Sequence, residues 1–192
     1  MARVITVGRQ CGSGGHSLGV AVAERLGVPW YDKAYLYREW GDLFDRFDAR
    51  EGGLLYTLSA GGGRAGSLYG SSLERDAWRA GMGAIRDLTR EDCVVIGRGG
   101  NWALRGREGC LHLFVKAPFS RRTARVAEQQ RLSLEEAGAL IRRADRCRAA
   151  YYRFYTGGEW GGPGGYDCCL DPDRLGREET VAYLCRIWEK IR

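Results

Sequence analysis

Short apolar runs alternate with amphipathic stretches along this chain. Five runs of four to six residues are rich in β-branched or aromatic side chains and are bounded by glycine, proline or charged residues, which is typical of buried strands. They occupy positions 4–8, 28–31, 93–97, 111–116 and 166–171. Between them, apolar residues recur every three to four positions, as Leu18, Val22 and Leu26 do. This spacing predicts helices that each bury one face.

Strands that alternate with helices favour a parallel sheet, because parallel neighbours need a crossover connection. We therefore predict an α/β fold of three layers, α/β/α, with a five-stranded parallel sheet. Pro29 suits a strand at the edge of that sheet, since proline cannot donate a hydrogen bond to a neighbouring strand. The length of 192 residues, 44% of them hydrophobic, predicts a single domain at 1–192.

Two segments depart from this alternation. Positions 50–71 contain seven glycines and no regular period, which predicts a mobile or functional insertion. Positions 119–165 combine arginine-studded helical patterns with a glycine-rich loop. Between positions 119 and 155, nine arginines stand against four carboxylates, so this stretch carries +5 in a chain of net charge +6. Arginine favours bidentate binding of phosphate, and a solvated helix face is the alternative interpretation.

Composition narrows the class of protein. No run of eighteen apolar residues occurs, and the first residues lack the apolar centre of a signal peptide, so we expect a cytoplasmic protein without a membrane span. The seven cysteines form no C-x-x-C pair and mostly lie in apolar runs. We interpret them as buried, reduced thiols instead of a metal or redox site, with Cys11 the one most open to oxidation. His112 alternates with apolar residues of its strand and is interpreted as structural.

The first apolar run leads directly into a glycine-rich turn. Residues 4–17, VITVGRQCGSGGHS, combine a strand, a turn and a helix start, the arrangement with which α/β proteins bind phosphate. Glycines allow backbone N–H groups to close around an anion, and the helix N-terminus adds its dipole. The Walker pattern G-x-x-x-x-G-K-[ST] has no match, because no lysine precedes Lys33. The sequence therefore predicts a phosphate-binding loop that lacks its lysine.

Six motifs, in order and spacing, resemble the cytidylate kinase-like branch of the nucleoside monophosphate kinases. They are GRQCGSGGHSLG, PWYDKAYLYREW, VVIGRGG, APFSRRTARV, DRCRAAYYRFYTGGEW and YDCCLDPDRLG, and together they span nearly the whole chain. The resemblance implies a P-loop kinase fold with a helical, arginine-rich lid at about 119–165. It also implies ATP and Mg²⁺ as cofactors, and phosphoryl transfer to a nucleoside monophosphate, most closely CMP or dCMP.

Within the loop, the cytidylate kinase pattern DGPSGAGKGT aligns with residues 8–17 without a gap. Arg9 then falls on the first Walker glycine, Gly15 on the lysine and Ser17 on the final threonine, the position that holds Mg²⁺. The branch itself has loops of the type SRQYGSGGRE, so the missing lysine is a feature of the branch. The resemblance places six residues around the ATP phosphates: Gly12, Ser13, Gly14, Gly15, His16 and Ser17. Arg9 or His16 would compensate for the lysine.

The other motifs transfer residue by residue. YDKAYLYR is similar to LDSGAIYR, and Gly97-Arg98 resembles the GRD after the third strand, with Gly99 in place of its aspartate. SRRTARV resembles the start of the lid, and Asp145 and Arg148 fall on a D-x-x-R stretch that contacts the pyrimidine nucleotide. The residues so implicated in substrate binding are Asp32, Tyr37, Arg38, Arg98, Asp145 and Arg148. Those implicated in catalysis are Arg9, Arg98, Arg122, Arg125 and Arg148.

These residue types suit phosphoryl transfer, which depends on positioning and on positive charge near the transferring oxygens. A lid that closes would also exclude water and suppress hydrolysis of ATP. A second hypothesis is a nucleotide-binding sensor or regulator without catalysis, because the Walker lysine and the aspartate after Arg98 are both absent. A sequence pI near 9.0 suggests nucleic-acid binding. The arginines lie at motif positions, however, so we expect small nucleotides as partners and neither nucleic acid nor membrane.

Overall fold

The structure is a computed structural model that describes residues 1–36, 38–39, 72–97 and 99–191. Its strands are β1 (Val4–Arg9), β2 (Trp30–Tyr31), β3 (Cys93–Ile96), β4 (Cys110–Val115) and β5 (Cys168–Leu170). They form one sheet in the order β2-β3-β1-β4-β5, and every neighbouring pair is parallel. The predicted five-stranded parallel sheet is confirmed, and the strand that follows Pro29 lies at its edge.

The helices connect these strands and cover both faces of the sheet. They are α1 (Gly15–Leu26), α2 (Ser72–Leu88), α3 (Gly100–Ala103), α4 (Phe119–Gln130), α5 (Leu134–Thr156), α6 (Pro172–Leu175) and α7 (Arg177–Trp188). A 3₁₀ turn at Pro163–Gly165 precedes β5. In the described ranges, no helix is both long enough and apolar enough to cross a membrane.

The alternation of side chains along the strands builds two cores. Ile5 and Val7 of β1 belong to a buried cluster with residues of α1 and α7, such as Leu18 and Leu184. Val4 of β1 points the other way and belongs to a second cluster with residues of α2 and α3. Because successive side chains of a strand face opposite sides, one apolar strand supplies both cores. This is why the buried strands read as unbroken apolar runs.

Helices α4 and α5 pack against each other through Val126, Ala137 and Ile141, which are all buried. The start of α5 is fixed by a capping box, in which the Ser133 hydroxyl accepts a hydrogen bond from Glu136 N and the Glu136 carboxylate accepts one from Ser133 N. The Ser-x-x-Glu spacing at positions 133–136 is the sequence pattern of such a box. The pair forms the arginine-rich segment that the sequence predicts to be a lid.

Several predicted boundaries differ from those observed. The second strand covers only residues 30–31, and β5 is partly exposed because it is the far edge of the sheet. Residues 33–36 and 38–39 are helical, whereas residues 37 and 40–49 lie outside the described residues. The glycine-rich stretch at about 50–71 also lies there. The single domain at 1–192 stays a prediction.

The interpretation of His112 as structural agrees with its surroundings, since its Nδ1 lies 2.8 Å from Thr6 Oγ1. Burial lowers the pKa of its imidazole, which favours the neutral ring. The cysteines are all free thiols. Cys11 is half-buried, and burial raises the pKa of its thiol, whereas Cys169 is exposed. Exposure to oxidants is therefore greater at Cys169 than at Cys11, contrary to the prediction.

Truncation of a core leucine tests this architecture. Leu113 of β4 is 0% exposed, so we expect Leu113→Ala to lower the free energy of unfolding by about 2–5 kcal/mol through lost burial and a residual cavity. Leu175 is 53% exposed, and Leu175→Ala should change it by about 0.5 kcal/mol or less. Urea unfolding of both variants measures the difference. Equal effects would contradict the assignment of Leu113 to the core.

Candidate active site

The glycine-rich turn after β1 forms a compact loop. Gly12 and Gly14 have φ angles of 74° and 80°, in the left-handed region that disfavours other residues. The loop closes because Gln10 O accepts hydrogen bonds from both Ser13 N at 3.3 Å and Ser13 Oγ at 2.9 Å. Ser13 is buried, and its hydroxyl stabilises the turn through the hydrogen bond to Gln10 O. The glycine and serine pattern thus specifies the shape of the loop.

The loop delivers the chain to the N-terminus of α1. The N-cap residue is Gly14, and no side chain caps the helix. The amides of the first turn of an α-helix have no intrahelical partner, so such an end attracts anions. Ser17 is exposed in this first turn, and its Oγ donates to Gly14 O at 2.9 Å. The geometry suits a phosphate group at residues 14–17.

Arg9 and Gly15 are coupled by close packing. A β-carbon at position 15 would lie 2.6 Å from Arg9 Cβ and 3.0 Å from Val115 Cβ, nearer than real side chains approach. Gly15 therefore leaves the space that Arg9 uses. The guanidinium of Arg9 extends to β3, where a β-carbon at Gly97 would meet Arg9 Nη1 at 1.6 Å. Arg9 thus crosses beneath the loop and reaches the end of the neighbouring strand.

A buried ion pair connects the loop to the arginine-rich helices. Arg122 Nη1 of α4 lies 2.6 Å from Asp145 Oδ2 of α5, and the two side chains are only 8% and 19% exposed. Asp145 Oδ1 accepts a hydrogen bond from Cys11 N at 2.8 Å, while Arg122 Nη1 donates to Cys11 O at 3.1 Å. Both backbone polar groups of Cys11 are thereby satisfied. The pair fastens α4, α5 and the loop together.

Arg125 makes a second connection one turn along α4. Its Nη1 donates to Gly12 O, and its Nη2 lies 2.7 Å from Asp173 Oδ1 of α6. In this conformation, Arg122 and Arg125 bind carbonyl oxygens of the loop and nearby carboxylates. Their predicted contact with the transferring phosphoryl group stays a prediction.

A cavity of about 150 Å³ opens at the carboxyl ends of β1 and β3. Every charged side chain among the described residues that line it is a cation: Arg9, Lys33 and Arg148. Arg148 also reaches β1, where its Nη1 lies 3.4 Å from Arg9 O. The cations come from three separate elements, which matches the convergence expected of a site for an anionic group. Open α/β sheets bind ligands at this edge.

Aromatic rings also line the cavity. Five of them belong to described residues: Trp78, Tyr151, Tyr152, Trp160 and Tyr166. Tyr166 also packs against Gly8, where a β-carbon would lie 2.7 Å from its ring. Burial raises the pKa of the Tyr166 hydroxyl, so this ring stays neutral. Cations and aromatic rings in one cavity would suit a ligand with a phosphate and a flat ring.

Asp32 and His16 lie beside the loop. His16 Nε2 is 2.9 Å from Asp32 Oδ2, and Asp32 Oδ1 accepts from Tyr35 N at 3.0 Å. Burial alone would raise the pKa of the Asp32 carboxyl, but the hydrogen bonds from Tyr35 N and His16 hold it below its ordinary value. Asp32 is therefore a carboxylate at neutral pH. It connects the helix that carries Lys33 to the loop.

The structure brings only part of the predicted set to the cavity. Arg9 and Arg148 line it, whereas Arg38 is 68% exposed and pairs with Glu39 at 2.9 Å. Tyr37 and Arg98 lie outside the described residues. The roles assigned to all of these residues stay predictions.

Sequence reasoning missed several residues that line the cavity: Lys33, Trp78, Asn101, Tyr151, Tyr152, Trp160 and Tyr166. A signal was present for two of them, because Lys33 and Asn101 follow the carboxyl ends of β2 and β3. The others come from α2, α5 and the turn before β5. Their convergence depends on tertiary packing that no local pattern encodes.

A second depression lies on the other side of the loop. It is formed at the ends of β4 and β5, and its charged residues are Lys116, Arg121, Asp171, Asp173 and Arg174. Gln10 of the loop also lines it. Since β1 lies between β3 and β4, the loop separates this depression from the aromatic cavity. Two openings therefore flank one phosphate-binding loop.

Comparison with known proteins identifies the family of this chain. A model of the cytidylate kinase-like family matches residues 4–174. The chain belongs to this family. A cytidylate kinase from Methanothrix thermoacetophila is 27% identical over 185 residues, which are 93% of this chain and 94% of that protein.

Solved structures share the fold of this cytidylate kinase-like chain. An uncharacterized protein from Eubacterium ventriosum ATCC 27560 matches with a TM-score of 0.75 and 20% identity over 99% of both chains. A gluconokinase from Sinorhizobium meliloti 1021 has a TM-score of 0.59 and 18% identity over 98% of this chain and 94% of its own. A shikimate kinase from Acinetobacter baumannii, in complex with shikimate, has a TM-score of 0.56 and 14% identity over 97% and 92%. At these identities the likeness concerns the fold alone.

Membership of the cytidylate kinase-like family supports phosphoryl transfer that involves a nucleotide. The resemblance deduced from the six motifs is thereby confirmed.

The connection of Asp145 to the loop can be tested through stability. Asp145→Asn removes the charge opposite buried Arg122, so we expect it to lower the free energy of unfolding by about 3 kcal/mol. Asp87→Asn is the matched control, because Asp87 pairs with Arg90 at 2.7 Å on the surface, where the side chains are 66% and 79% exposed. The control should cost about 1 kcal/mol or less. Chemical unfolding measures both, and similar losses would show that the Arg122–Asp145 pair does not fasten the loop.

Proposed function

We propose that this protein transfers the γ-phosphoryl group of ATP to a nucleoside monophosphate, with CMP or dCMP as the acceptor. The observation that carries the proposal is the cavity beside the loop, which Arg9, Lys33 and Arg148 line together with aromatic rings. Lys33 and Arg148 would bind the acceptor's phosphate, Arg9 would lie near the group that is transferred, and the rings would stack on the acceptor's base. The cytidylate kinase of Methanothrix thermoacetophila, at 27% identity, supports this choice of acceptor.

The donor would occupy the other side of the loop. Its phosphates would lie at the N-terminus of α1, where residues 14–17 offer backbone N–H groups. Its remaining part would extend toward the depression that Lys116, Arg121 and Arg174 border. This arrangement lets donor and acceptor approach the loop from opposite sides, as in-line transfer between two nucleotides requires.

Arg9 would supply the charge that a Walker lysine supplies elsewhere. In the alignment with cytidylate kinases, glycine and cation have exchanged positions, with Arg9 on the Walker glycine and Gly15 on the lysine. The packing explains the exchange, because a side chain at position 15 would overlap Arg9 Cβ. Only one of the two positions can carry a cation, and this chain carries it at position 9.

Magnesium would be held by Ser17, as the family resemblance implies. Ser17 Oγ uses its proton for Gly14 O, which leaves its lone pairs for a cation. Mg²⁺ keeps several waters and binds through one or two protein oxygens together with phosphates, so a single hydroxyl suits it. When bound, the ion would neutralise charge on the donor phosphates.

An ADP-release assay with ATP and a panel of nucleoside monophosphates tests the proposal. We expect turnover with CMP or dCMP, and Arg148→Ala should lower kcat/KM on the order of 100-fold, since it removes a cation from the acceptor's phosphate. Arg146→Ala is the matched control, because Arg146 is exposed on the same helix. It should leave turnover unchanged. If the folded protein phosphorylates none of the acceptors, the kinase proposal is contradicted.

Variants at positions 9 and 15 test the exchange of cation and glycine between these two positions. Arg9→Gly should lower kcat on the order of 100-fold, because positive charge near the transferring group is lost. Gly15→Lys alone should also be impaired, because its side chain would collide with Arg9. The double variant Arg9→Gly/Gly15→Lys should recover part of the lost rate. Full activity in Arg9→Gly, with unfolding unchanged, would contradict the role of Arg9.

A nucleotide-binding sensor without catalysis is the second candidate. It is favoured by Gly99, which stands where the cytidylate kinase pattern has an aspartate. Isothermal titration calorimetry with ATP and CMP separates the candidates. Binding of both without ADP release supports the sensor, and no binding of either refutes both candidates.

A further inference from the structure

Asn101 is a buried polar residue in the wall of the aromatic cavity. It is only 6% exposed and lies in α3, directly after the carboxyl end of β3. Its Nδ2 donates to Tyr152 Oη at 2.7 Å and to Gly165 O at 2.9 Å. Both protons of the amide are therefore used.

These bonds fix the orientation of the amide. Gly165 O can only accept a hydrogen bond, so the atom that faces it must be the NH₂ group and not the carbonyl oxygen. Oδ1 is consequently turned away from Gly165. In the part of the chain that the structure describes, Oδ1 accepts no hydrogen bond.

A buried carbonyl without a donor is unfavourable, and native structures seldom leave one unpaired. The cavity that Asn101 lines is the space from which a donor can come. Trp78 and Tyr151 line the same cavity and contact each other with ring centroids 5.3 Å apart. A flat ring that packs against such aromatic side chains would bring its polar edge into the space that Asn101 lines.

We infer that Asn101 Oδ1 selects an acceptor whose base carries an exocyclic amino group, which among the pyrimidines is cytosine. This inference rests on the proposed function, since it concerns the part of the same cavity that would bind the base of the phosphoryl acceptor. Cytosine presents an N4 amino donor, whereas uracil presents an O4 acceptor at that position. Uracil would leave Oδ1 unpaired and place a second carbonyl against it.

Asn101 is thus a specificity-determining residue that no sequence motif identified. A site built to pair with an amino group rejects ligands that lack it, because its own buried group is left without a partner. Tyr152 and Gly165 have a positioning role, since they hold the amide so that Oδ1, its hydrogen-bond acceptor, is turned toward the ligand.

Three ligands test the inference on the wild-type protein: CMP, UMP and the monophosphate of 2-pyrimidinone riboside, which has hydrogen at C4. We expect CMP to bind on the order of 10- to 100-fold more tightly than the 2-pyrimidinone nucleotide, and UMP to bind no better than the latter. Calorimetry gives the affinities without requiring turnover. Equal affinities for the three ligands would overturn the inference, and this ranking needs no variant.

The variant Asn101→Ala then tests the contact between Oδ1 and the exocyclic amino group of the base. In this variant, CMP and the 2-pyrimidinone nucleotide should bind within a factor of about two of each other, since the group that distinguishes them is gone. Tyr152→Phe is the matched control, because it removes one partner of Nδ2 but leaves Oδ1 in place. It should preserve the preference for CMP even if both affinities fall. Loss of the preference in Tyr152→Phe but not in Asn101→Ala would contradict the assignment.

Failure of this inference is distinguishable from failure of the kinase proposal. If ADP release occurs with nucleoside monophosphates but Asn101→Ala keeps the ratio of kcat/KM for CMP and UMP, the kinase stands and the inference fails. If CMP binds with the expected ranking but is not phosphorylated, the inference stands and catalysis fails. If no nucleoside monophosphate binds, both are overturned.

Discussion

The buried pair of Arg122 and Asp145 is the constraint on which the site depends. It satisfies the N–H and the carbonyl of Cys11 at once, and so fixes the middle of a loop that glycines would otherwise leave free. Two charges removed from water are stable only when each is paired and hydrogen-bonded. The Cys11 backbone provides those additional bonds, so the pair and the loop stabilise each other.

This constraint also sets where cations can lie. Arg122 and Arg125 are bound to loop carbonyls, so in this conformation they shape the loop from outside. Among the described residues, positive charge inside the cavity comes from Arg9, Lys33 and Arg148. The segment that sequence analysis identified by its charge therefore divides into two groups. One group holds the loop, and the other, represented by Arg148, faces the cavity.

The fold was predictable because its signals are local. An apolar run such as CVVIG is too short for a helix and too apolar for a loop, and five such runs in alternation with helical patterns leave few architectures. The loop was predictable for the same reason, since Gly12 and Gly14 are needed for positive φ. The cavity was not, because Trp78, Tyr152 and Tyr166 are far apart in the chain and their aromatic character is equally consistent with an ordinary core. Pairing of Arg122 with Asp145 likewise depends on how α4 packs on α5, which charge counts do not reveal.

Gly15 and Gly97 both lie close to Arg9. A β-carbon at position 15 would lie 2.6 Å from Arg9 Cβ, whereas position 97 has a φ angle of 84° and lies against the guanidinium of the same side chain. In the proposed function, the glycine at position 15 gives room to Arg9, the cation that would replace the Walker lysine. Among the described residues that line the cavity, the charged side chains are all cations: Arg9, Lys33 and Arg148. The cavity therefore complements a ligand that carries negative charge better than a neutral one. A phosphate held by these cations would leave the rest of the ligand to contact the aromatic rings and Asn101.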